Sequence, residues 1–210
     1  MGADQDQDRG LAVRERCSVG GSEVAVDKGL PLMPPIPKKP VDELRDLAAP
    51  RELIEWVRKL APDTAARSAW VDAPRADWVP YLAVLRGISR EAILKAVCET
   101  AIEIAPASDE PQMARLLAVL REGTTRGRDA FLTTLVDLDD LRLAVIAHQG
   151  TSTPPAPWMF WAELVFELAR SQARGNPLVG IALAMRSLAS GKGRKADLVA
   201  RLRDKLTLAM

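Results

Sequence analysis

Histidine is almost missing from this sequence: His148 is the only one in 210 residues, and Cys17 and Cys98 are the only cysteines. Zinc and iron centres draw on imidazole and thiolate ligands. A metal site would need ligands that this chain scarcely possesses, and neither a metal nor another cofactor is expected. Two thiols, one in an N-terminal tail and one on the apolar face of a predicted helix, make no disulfide framework, which suits a reducing compartment. Net charge is also lacking, since 29 Lys and Arg offset 28 Asp and Glu. The chain therefore has no long-range field to favour nucleic acid or an anionic membrane. Long hydrophobic runs do not occur: the most apolar stretch, 158–168, is interrupted by Glu163 and Glu167. It is well under the ~20 residues of a spanning helix. Residues 1–10 are polar and acidic, without the apolar core of a secretory signal. A cytoplasmic location without a membrane partner is the expectation.

What is present is ordinary for a folded domain: 48% apolar and 27% charged residues. Residues 1–28 mix Asp, Gln, Gly, Arg and Ser with isolated Val and hold no period long enough to bury a face, so a disordered tail is predicted, apart from a short strand signal at 23–26. Residues 29–40 carry five prolines. Proline fixes φ and removes a backbone donor, which gives an extended linker or strap with Leu30, Leu32, Met33 and Ile36 as its buried contacts. From 41 to 210 the pattern is helical throughout, in a single domain.

Punctuation locates the helices. Short ones are predicted at 42–47 and 51–60, another after an Asp63 cap to about Val71, and one from Pro74 through Trp78, Tyr81 and Leu85 to a stop at Gly87. Ser89 is a good N-cap for a helix in which Ile93, Leu94, Val97, Cys98, Ala101, Ile102 and Ala105 form one apolar face. Ser108 and Pro111 open a helix expected to end at Gly123. Between Thr125 and Gln149 the apolar stripe changes phase near Asp137–Asp140, which predicts two tightly joined helices. After a proline-rich loop come helices at 158–174, from Asn176-Pro177 to Leu188, and at 195–208. The predicted architecture is an all-α irregular bundle or short α-solenoid of about nine helices, without internal sequence repeats.

Few residues invite chemistry. His148 has no second histidine and no nearby cysteine, and no Gly-x-Ser-x-Gly elbow exists to hold a nucleophilic serine. Asp137-Leu138-Asp139-Asp140 matches an Asp-x-Asp-Asp pattern used in terpene cyclisation, but a chain with 4% aromatics is a poor enclosure for a carbocation. Capping of the following helix by Asp139 or Asp140 is the preferred reading. Gly191-Lys-Gly-Arg-Lys195 lacks both the spacing and the strand of a phosphate loop. The last forty residues hold eight cations against Asp197 and Asp204. Arg194, Lys195, Arg201 and Arg203 are accordingly the residues that a nucleic acid or an acidic protein would meet. Pro34, Pro37, Lys38 and Lys39 fit a Pro-x-x-Pro-basic ligand for an aromatic groove, although a strap over the domain is favoured. Trp158, beside Met159 and just after a proline-rich loop, is the best candidate for an exposed aromatic anchor, because tryptophan is enriched at interface centres.

The run Trp78-Val-Pro-Tyr-Leu-Ala-Val-Leu-Arg-Gly-Ile-Ser-Arg-Glu-Ala-Ile-Leu-Lys-Ala-Val-Cys98-Glu-Thr-Ala101 resembles a segment of bacterial immunity proteins, in which a tryptophan helix ending in a charged turn precedes an alanine- and cysteine-containing helix. The likeness covers about 25 of the 210 residues and transfers no site residue. It implies a toxin-neutralising role as an alternative. Read together, these features predict a non-enzymatic interaction or adaptor protein whose partner is another protein, with nucleic acid the less favoured partner.

Overall fold

Proline opens five helices of this chain. A first-turn residue has no intrahelical acceptor for its N–H, so the missing donor costs nothing there and the fixed φ suits the helix. The computed structural model describes residues 39–60, 65–149, 151, 154–190 and 195–208. The predicted tail and most of the strap, including Pro34, Pro37 and Lys38, lie outside the described residues, as does Asp63.

The described residues form twelve α-helices and no strand. In order they are α1 Pro40–Asp46, α2 Arg51–Lys59, α3 Ala65–Asp72, a 3-10 turn Ala76–Trp78, α4 Val79–Leu85, α5 Arg90–Ile104, α6 Pro111–Arg126, α7 Asp129–Leu132, α8 Thr134–Asp137, α9 Asp139–His148, α10 Pro157–Ala173, α11 Pro177–Ala189 and α12 Lys195–Leu208. The all-α reading holds. The expected count of about nine rises because short pieces stand as separate helices, three of them between 129 and 148.

Several boundaries form for the reasons their residues suggest. Ser89 Oγ accepts the N–H of Ala92 at 3.2 Å and starts α5. Gly87, at φ +78°, ends α4, with its own N–H on Val84 O and that of Ile88 on Ala83 O. That pair of bonds is a Schellman closure, in which glycine takes the left-handed position. Others differ from expectation. Ser108 Oγ accepts from Glu110 N, two residues too early to cap α6, whose N-cap is Glu110. The helix also runs through Gly123 to Arg126 and turns only at Gly127, at φ +58°. Gly123 is a packing residue: a Cβ there would lie 2.9 Å from the Phe131 ring and 3.0 Å from Cys98 Sγ.

Core geometry follows from α10. Its buried positions include Trp158, Trp161, Ala162, Leu164, Val165, Phe166, Leu168, Ala169, Ser171 and Gln172, an apolar surface too wide for a one-sided helix. Helices α6, α7, α8, α9 and α11 pack around it. At the α10–α11 crossing, Gly180 faces Ser171 so closely that a Cβ at Gly180 would sit 2.0 Å from Ser171 Cβ. The chain then returns: α12 packs on α4, α5 and the 3-10 turn. A solenoid keeps contacts between sequence neighbours, so this closure makes the fold a bundle. Fully buried leucines such as Leu44, Leu53, Leu116, Leu120, Leu164 and Leu168 each stabilise it by roughly 1.5–3 kcal/mol of transfer free energy.

Candidate functional site

Trp158, expected as an exposed anchor, is buried at 8% exposure. Its neighbour Met159 is half-buried against the core. The reason is the central position of α10: with helices on several sides of it, the first turn after Pro157 points its tryptophan inward, while Phe160 meets Trp161 edge-to-face at 5.6 Å. Lys39, the one described residue of the basic proline motif, is exposed and serves as N-cap of α1, its carbonyl accepting from Asp42 N at 2.8 Å.

Apolar exposure lies elsewhere. Among the described residues, Val71, Leu132, Val136, Leu143, Ile146, Leu183 and Leu208 are the large apolar side chains left exposed. Four of these seven fall between 132 and 146, on α7, α8 and α9, with Val136 at 78% exposure. Apart from one another, these short helices are packed, among the described elements, substantially only on α6 and α10. The phase change near 137–140 marks this face: α8 ends at Asp137, Leu138 leaves the helical region at φ −116°, ψ 27°, and α9 begins at Asp139. Leu138, Leu141 and Val145 then turn inward and Leu143 and Ile146 outward.

The acids of the Asp-x-Asp-Asp run are divided by the same break. Asp139 and Asp140 occupy the first turn of α9 and not its cap. Asp139 Oδ1 accepts from Arg142 Nε at 2.8 Å. Asp140 accepts from Arg115 at 2.7 and 3.0 Å, and that bidentate pairing holds its carboxyl below the usual carboxylate range. Arg115 also donates to Asp137 O at 3.1 Å. The carboxylates of Asp137 and Asp129 have no ion-pair partner among the described residues. None of these acids meets His148, whose Nδ1 lies 3.3 Å from Thr151 Oγ1. No group of three or more His, Cys, Asp or Glu among the described residues is arranged to hold a metal ion.

Three cations of the C-terminal helix have partners within the chain. Arg201 pairs with Asp197 at 2.9 Å. Arg203 donates through Nη1 to Val71 O, and its Nε is buried without a partner. Lys205, 19% exposed, is held between Glu103 and Glu99. Arg194 lies outside the described residues, and Lys195 begins α12. Among the described candidates, Trp158 is buried on α10, Lys39 caps α1, and Arg201 and Arg203 lie on α12.

A second polar feature surrounds the 3-10 turn. Asp77, 7% exposed, accepts from Arg75 Nε at 3.0 Å and from Nη2 at 2.6 Å. The same guanidinium lies 4.9 Å from the centre of the Trp78 ring, and Trp78 meets Trp56 at 5.3 Å. A cavity of about 380 Å³ adjoins the pair, with Pro74, Arg186 and Ser190 in its wall. Cys98 is fully buried, and burial, with a smaller contribution from Glu99, pushes its thiol up to about 12, so it is no ready nucleophile. No described helix is long and apolar enough to cross a membrane.

Comparison with family models, curated proteins and solved structures gave no match. The apolar exposure along α7–α9 is the feature that the sequence reading missed. Its signal was available in the phase change, because residues on both sides of a shift in period cannot all face one core.

Proposed function

We propose that the chain is a non-enzymatic protein-interaction domain that docks its partner on the outer side of α7–α9. The observation that carries this reading is the concentration of exposed Leu132, Val136, Leu143 and Ile146 on helices that pack, among the described elements, on α6 and α10. Apolar area removed from water stabilises a complex by about 25 cal/mol per Å² before the costs of association. Clusters of exposed apolar side chains mark interaction sites more than isolated ones do.

The surrounding charges define the partner. Asp139 and Asp140 are already neutralised by Arg142 and Arg115. Asp129 and Asp137, which flank Leu132 and Val136 in sequence, have no ion-pair partner among the described residues. A protein presenting an apolar helix face with Lys or Arg at its rim would complement both features. Nucleic acid fits poorly beside an acidic flank, and the cations of Arg201, Arg203 and Lys205 are engaged internally. A toxin protein would be one such partner, which is the form the resemblance to immunity proteins gives this reading.

Affinity purification of the full-length chain and of its V136D/I146D variant, quantified by mass spectrometry, tests it. Both substituted side chains are exposed, so helicity and Tm should persist. A partner retained by the wild type and lost on the order of ten-fold in the variant is the expected outcome. Equal recovery by both chains, or no stoichiometric partner for either, contradicts the reading.

A further inference from the structure

We draw no further inference here: the strongest candidate, the cavity of about 380 Å³ beside the 3-10 turn, carries nothing because Asp77, the buried charged side chain in its wall, is already paired with Arg75, leaving only exposed or half-buried polar side chains among the described residues that line it.

Discussion

Replacing Gly180 by alanine places a methyl carbon 2.0 Å from Ser171 Cβ, 2.1 Å from Ser171 Oγ and 2.8 Å from Glu167 O. Carbon atoms pack at about 3.5–4.0 Å, so α10 and α11 would have to separate by about 1.5 Å where they cross. Neither a Cβ nor a backbone carbonyl can rotate away, and relief must come from moving whole helices. Alanine gains up to about 1 kcal/mol over glycine in helix propensity. Overpacking of this kind costs about 1–3 kcal/mol and sometimes more, and the immobile neighbours place this case at or above the upper end. A net loss of about 2 kcal/mol follows, or about 4–8 °C in Tm for a chain of this size. Far-UV circular dichroism melts of the wild type, G180A and an exposed α11 control, R186A, measure it. Adding Ser171→Gly to G180A should recover part of the loss: it removes the two closest atoms, leaves the 2.8 Å contact with Glu167 O and introduces a glycine into α10. A G180A variant melting with the wild type would refute the packing argument.

Ala48 is the one non-glycine residue with positive φ among the described residues, at +53°. It holds the left-handed position of a Schellman closure, with its N–H on Arg45 O and that of Ala49 on Leu44 O, so A48G should stabilise by about 1 kcal/mol in a urea titration; a loss of stability would contradict this geometry. Cys98 predicts alkaline sensitivity. Its native thiol is pushed up to about 12, whereas an unfolded thiol titrates near ~8.5. Burial therefore stabilises fully below about pH 8.5, and the contribution is lost as pH rises from there through about 12. In a Cys17→Ser background, alkylation of Cys98 should track global unfolding, and fast labelling of the native chain would exclude a sealed thiol. Removing Arg75 strands the buried Asp77 carboxylate beside Trp78. Because the guanidinium is itself 37% exposed, R75A should cost about 1–3 kcal/mol and alter tryptophan fluorescence; an unchanged melt and spectrum would argue against the pair.

Much of the fold is readable because its punctuation is local. Gly87 and Ser89 act within one turn of themselves, and the prolines at 157 and 177 open helices as their missing N–H suggests. Features that depend on a distant neighbour were harder to read. Gly123 resembles a helix stop, but its small size is needed to admit Phe131 and Cys98. Trp158 has the sequence context of an exposed anchor, and only the helices around α10 decide that it is buried. Local periodicity shows that Val136 and Ile146 belong to apolar stripes without showing that no other described residue covers them.

In-cell photo-crosslinking from the α7–α9 face tests the docking claim most directly. A photoreactive residue replacing Leu143 or Ile146 is compared with one replacing Thr207, an exposed position on α12. Adducts to one protein of defined mass from 143 and 146, with none from 207, are the result expected of an occupied interaction face. Absence of adducts from 143 and 146, or the same pattern from 207, would contradict it.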